Sequence, residues 1–272
     1  MECADRICDS RGVKTFPDSE KTPALTPRGG TVVRAQFRPH PLIRGAHLQT
    51  IIPTLLRPLP KLELDIERWE LHDGDYVNLG WFAQPGSDSP IAVLVHGLTG
   101  GFESKYLRGL ARRLKRLGWA GVILQLRGAG EEPNRKAQNY HQGDTADLLT
   151  LLRRLRSTHP RSKIATVGWS LGGNIVLKAA GEVGEEHLAD EVVAASVPFL
   201  LEPCVERLNS GFSRVYQRRM LRDLVTMMQR KLDVVDAPGG VLSHSAEQAS
   251  CFREFDAAWT APVNGFDSAE DY

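Results

Sequence analysis

A chain of 272 residues is long enough to bury a sizeable core. Its 42% hydrophobic and 25% charged content excludes disordered, collagen-like and disulfide-scaffold classes. With 34 basic against 33 acidic residues, the formal net charge of +1 supplies no field toward nucleic acid or an anionic membrane, so neither is an expected partner.

Residues 1–30 carry Pro17, Pro23, Pro27 and the Gly29-Gly30 pair without a sustained period, and read as a flexible tail before a single domain over 31–272. Acidic residues are scattered through that stretch and it has no apolar segment, so it resembles neither a signal nor a transit peptide. Apolar runs are too short to span a bilayer, and a cytoplasmic location is expected. Cys3, Cys8, Cys204 and Cys251 form no C-x-x-C pair, so no metal or redox centre is expected.

Ordered structure is expected from near Phe37, with a strand over Leu62 to Leu71 before the Asp73-Gly74-Asp75 turn. Ile91 to Val95 is an unbroken apolar run, as a strand buried on both faces requires. Tyr106, Leu107, Leu110, Ala111, Leu114 and Leu117 recur at helical steps, and Gly118 stops the helix. The basic cluster Arg112, Arg113, Lys115 and Arg116 lies on its polar side.

A strand follows at Gly121 to Leu126, then a loop to Gln142, a helix at Asp144 to Arg156, a strand at Lys163 to Val167, a helix at Leu171 to Ala180 and a strand at Val192 to Val197. This alternation predicts an α/β fold with a mostly parallel central sheet flanked by helices. A long helix is expected over Phe212 to Leu232, where the methionines read as core packing rather than a lipid pocket. No further buried strand is expected after Asp233.

Gly168-Trp169-Ser170-Leu171-Gly172 places G-x-S-x-G between a strand and a helix, the setting of the nucleophile elbow in α/β-hydrolases. Ser170 is therefore the candidate nucleophile, and the Leu171 N–H a candidate oxyanion donor. His96-Gly97-Leu98 follows the Ile91 strand, which makes the Leu98 N–H the second candidate donor. His96 is expected to shape the turn before Leu98. No phosphate-binding G-x-x-x-x-G-K-[ST] or G-x-G-x-x-G pattern is present, so no nucleotide cofactor is expected.

Four stretches resemble the YheT-like family of α/β-hydrolases: Gly45-Ala46-His47-Leu48-Gln49-Thr50; Leu71-His72-Asp73-Gly74-Asp75; Arg127-Gly128 with Glu132-Pro133-Asn134-Arg135 and Tyr140-His141; and Gly211-Phe212-Ser213-Arg214-Val215-Tyr216. The resemblance implies a carboxylic ester hydrolase for short or medium acyl chains, without metal or organic cofactor, acting on a small ester or lipid-like substrate. Arg127-Gly128-Ala129-Gly130-Glu131 departs from the family, which has a cysteine, a serine and a glycine after Arg-Gly.

Arg253-Glu254-Phe255-Asp256 and Gly265-Phe266 through Asp271-Tyr272 resemble a family segment that precedes its last strands, its triad acid and its histidine. The resemblance therefore implies a truncated member in which those strands and both triad partners are missing and activity is impaired. His187 and His244 sit in no matching motif, and Asp233 or Asp236 with His244 is only a formal substitute. A non-catalytic acyl-binding protein and an acyltransferase are the alternatives.

Overall fold

The computed structural model describes residue 33 and residues 36–236 and 238–272. The expected tail over 1–30 lies outside them. The chain divides into two compact units, Met1–Leu55 and Leu56–Tyr272. The helix α1 (Ala46–Leu56) begins in the first. Everything below concerns the second.

Among its described residues, six strands form one sheet: β1 (Asp65–Glu70), β2 (Tyr76–Ala83), β3 (Ile91–Val95), β4 (Ala120–Gln125), β5 (Ile164–Trp169) and β6 (Glu191–Ala195), in the spatial order β1-β2-β4-β3-β5-β6. β1, β2 and β4 pair antiparallel, whereas β4, β3, β5 and β6 run parallel. The sheet is thus mostly parallel, as expected.

Strand alternation sorts the core into two layers. Ile91, Val93 and Val95 of β3 join Val122 and Leu124 of β4 on one face, while Ala92, Leu94 and Ile123 face the other way. Over the second face lies α2 (Lys105–Arg116), which buries Leu107 and Ala111 and leaves the expected basic cluster exposed. The first face is covered by α3 (Ala146–Thr158) and α4 (Leu171–Val183), through Leu148, Leu151, Leu152 and Leu155 of α3 and Ile175, Val176 and Ala179 of α4.

β2 was not expected, and the expected strand at Leu62 to Leu71 is confined to Asp65–Glu70. After β6 the chain turns helical: α5 (Leu201–Leu208), α6 (Ser213–Leu232), α7 (Ser243–Glu247), α8 (Phe252–Phe255), a π-helical turn at Asp256–Thr260, and α9 (Ala261–Asn264). These build a separate core from Leu221, Met228, Phe252, Phe255, Trp259 and Val263. No strand follows β6 among the described residues.

Candidate active site

β5 ends at Trp169, and α4 starts at Leu171. Between them Ser170 takes φ 51° and ψ −120°, a backbone conformation costly for a residue with a Cβ. Three backbone hydrogen bonds hold it there: its N–H donates to Ala195 O at 2.9 Å, and its carbonyl accepts from Gly173 N–H at 2.9 Å and Asn174 N–H at 3.2 Å. The flanking glycines are steric necessities, since a Cβ on Gly168 would collide with the Gly172 carbonyl, and one on Gly172 with the His96 carbonyl. Ser170 itself is exposed.

The turn after β3 packs against this elbow closely enough that a Cβ on Gly97 would stand 3.2 Å from Ser170 Cβ. Two tyrosine hydroxyls hold it. Tyr106 Oη accepts from Gly97 N–H at 3.0 Å, and Tyr140 Oη accepts from Thr99 N–H at 2.9 Å. The N–H between them, on Leu98, has no partner among the described residues, and neither has the Leu171 N–H at the start of α4. Helix geometry leaves such first-turn donors free, and the helix dipole favours negative charge there.

His96 is fully occupied by the turn. Its Nε2 accepts from Leu126 N–H at 3.1 Å, so Nδ1 carries the proton and donates to Gly97 O at 2.8 Å. Complete burial pushes its pKa down to about 4 and keeps it neutral. It shapes the turn and has no nitrogen left for proton transfer.

Leu98, Ser170 and Leu171 line one cavity of about 780 Å³. Its apolar walls come from α5, α6, α8 and the π-helical turn, including Val205, Leu224, Phe252 and Trp259. Met228 is buried in the helical core as expected, and Met220 and Met227, partly buried and packed against the core, also line the cavity. A mobile thioether suits a wall that accommodates varied chains.

Asn139, Tyr140 and Gln142 reach the cavity from the loop after β4, which a buried ion cluster anchors. The Arg127 guanidinium donates through Nε and Nη2 to both Asp147 oxygens at 2.8 Å, and through Nη1 to Asp73 at 2.7 Å and Asp75 at 3.2 Å. Asp75 also accepts from Asn134 Nδ2 at 2.6 Å and Arg135 N–H at 2.8 Å. Lys231 of α6 donates to Asn134 Oδ1 and to Lys136 O, with burial pulling its pKa down to about 8.

Among the described residues no histidine lines the cavity. His244 is exposed and pairs with Glu247, and neither Asp233 nor Asp236 lines the cavity either. His187 takes a left-handed backbone and borders a separate small pocket. His141 packs edge-on against Phe266 and Tyr272, and burial pushes its pKa down to about 4.

Reasoning from the sequence missed Asp256, which lines the cavity with Ser170. Burial raises its pKa to about 6, against a hydrogen bond from the Thr260 side chain. It also missed both tyrosine hydroxyls. Tyr140 was visible only as part of a motif, and Asp256 left no local signal. Among the described residues no group of three or more His, Cys, Asp or Glu side chains could hold a metal ion, and no helix is long and apolar enough to cross a membrane.

Residues 90–236 match the family model described as the alpha/beta hydrolase fold. Over 242 residues the chain is 38% identical to the Escherichia coli protein named "Putative esterase YheT", which covers 88% of this chain and 71% of that one. The chain belongs to the YheT-like α/β-hydrolases. It is also 28% identical to the embryogenesis-associated protein EMB8 of Picea glauca and 25% identical to phospholipase ABHD3 of Bos taurus, covering 89% and 80% of this chain. It spans 56% of each of those two relatives.

Proposed function

We propose that this hydrolase is a serine esterase for apolar acyl esters. Ser170 Oγ attacks the ester carbonyl as its hydroxyl proton passes to solvent water, and the N–H groups of Leu98 and Leu171 hold the resulting oxyanion. Collapse breaks the acyl–alkoxy bond, the leaving alkoxide taking a proton from water; a water molecule then hydrolyses the acyl-serine to the acid and the free Ser170 hydroxyl. The observation that carries this reading is the strained, exposed Ser170 between two unpartnered N–H donors at one apolar cavity. The names of the relatives, an esterase and a phospholipase, agree with an ester or lipid substrate.

Without a histidine at the cavity among the described residues, the serine has a nucleophile's place but no base. A serine acting without a base loses on the order of 10⁴ to 10⁶ in turnover, so the residues at this cavity by themselves support slow ester hydrolysis through the oxyanion donors and the binding walls. The same observation favours a second reading, an acyl-binding protein that does not hydrolyse. Turnover of p-nitrophenyl octanoate by the purified chain separates them. Slow release of nitrophenolate that Ser170→Ala abolishes supports the esterase; equal inertness of both proteins supports binding alone.

A further inference from the structure

The cavity that holds Ser170 is apolar over most of its wall, yet five charged side chains line it: Glu202, Glu206, Arg253, Asp256 and Glu270. Four are acidic and one basic. The single guanidinium is already engaged, because Arg253 pairs with Glu202 at 3.3 Å and Glu270 at 2.5 Å. All three of those side chains are more than half exposed, so that cluster is solvated. Glu206 is exposed as well.

Asp256 differs from all of them. It is half-buried, and no lysine, arginine or histidine forms an ion pair with it among the described residues. Thr260, one turn further on, hydrogen-bonds to it. It opens a π-helical turn, a widened geometry that recurs at functional sites. On the same turn, the Trp259 indole N–H is buried without a partner. The rings of Phe252, Phe255, Trp259 and Tyr272 line the same cavity.

A carboxylate that faces a mostly apolar cavity without a counter-charge is costly, and aromatic rings attract cations. Together they form a receptor for positive charge in an otherwise apolar space. We infer that the cavity selects an apolar acyl or alkyl compound carrying an ammonium group, with Asp256 as the counter-charge that sets this preference. An anionic compound of the same length meets the acidic majority of the wall and is rejected. This inference rests on the cavity being the substrate site of the proposed esterase, but it makes no use of turnover.

The test is calorimetric titration of the full chain bearing Ser170→Ala, at pH 7.5, with octylammonium, octanol and octanoate. Octylammonium should bind at least ten-fold more tightly than octanoate, with octanol between them. Adding Asp256→Asn should erase the ammonium preference and leave octanol affinity within two-fold. Equal or tighter binding of octanoate before that change, or an ammonium preference that survives it, overturns the inference. If Asp256→Asn loses octanol binding as well, Asp256→Glu decides: ammonium preference in this charge-retaining variant supports the inference, and its absence overturns it. Ester turnover fails or succeeds separately. An inert wild-type chain with an intact ammonium preference sinks only the esterase, and an active chain without that preference sinks only this selectivity.

Discussion

Among the described residues, the Arg127 cluster and the Ser170 cavity both withdraw carboxylates from water, and they treat them in opposite ways. Around Arg127 the side chains of Asp73, Asp75 and Asp147 share one guanidinium, and Asn134 and the Arg135 N–H take the remaining Asp75 lone pairs. At the cavity, the half-buried Asp256 has no cation paired with it among the described residues. The first arrangement fixes a loop; the second leaves an unmet demand where a ligand can meet it. Paired charge is a sign of architecture, and an unpaired, half-buried charge in the nucleophile's cavity is a candidate for recognition.

Removing the shared cation should break the first region most severely. Arg127→Met would leave Asp147 and Asp75 buried with no counter-charge, at a cost of about 3–5 kcal/mol. That is a large part of the stability of an ordinary domain, so the variant should be mostly insoluble or show a greatly reduced urea midpoint. A midpoint within about 0.5 kcal/mol of wild type would mean that the cluster does not anchor the loop.

At the cavity the same kind of test should have the opposite sign. The Asp256 carboxyl, raised from an ordinary 3.8 to about 6, favours the folded state fully below pH 3.8, and that contribution is lost as pH rises through about 6. At pH 8 the wild type therefore carries an ionised, unpaired carboxylate, and Asp256→Asn should be more stable by about 1–3 kcal/mol. The gain should shrink at pH 4.5. His96 and His141, both depressed to about 4, lose stability as pH falls from about 6.5, but they do so equally in both proteins and cancel from the difference. Urea midpoints at the two pH values check it. A destabilised Asp256→Asn at pH 8 would show that Asp256 is a structural residue.

The contrast between the regions also explains what the sequence disclosed. Strands buried on both faces need unbroken apolar runs, so Ile91 to Val95 could be read directly. β2 escaped notice because Asn78 and Gly80 interrupt its apolar residues and a bulge near Trp81 and Ala83 breaks the alternation. The elbow was legible because its glycines and serine fall within five residues between a strand and a helix: Gly168 is required by the adjoining Gly172 backbone, although Gly172 is required by the distant backbone of Val95 and His96. The hydroxyl of Tyr140, 41 residues from the Thr99 N–H it holds, has no such local mark. Asp256 likewise looks like any helical acid until α5, α6 and α8 close around it.

The smallest effect concerns the strain at Ser170. Its φ of 51° is a left-handed value that a glycine adopts freely, and a Cβ there costs on the order of 1 kcal/mol or more. The elbow holds it with the Ala195 carbonyl on one side and the N–H groups of Gly173 and Asn174 on the other, all of them backbone contacts that a substitution would retain. Ser170→Gly should therefore raise stability by about 1 kcal/mol, less the greater chain entropy that a glycine brings to the unfolded state. Ser170→Ala keeps the Cβ and should give no comparable gain. If both variants matched wild type in urea midpoint, the turn would store no measurable strain. If Ser170→Gly alone rose while ester turnover vanished, the serine would be held against the chain's stability where its hydroxyl is useful.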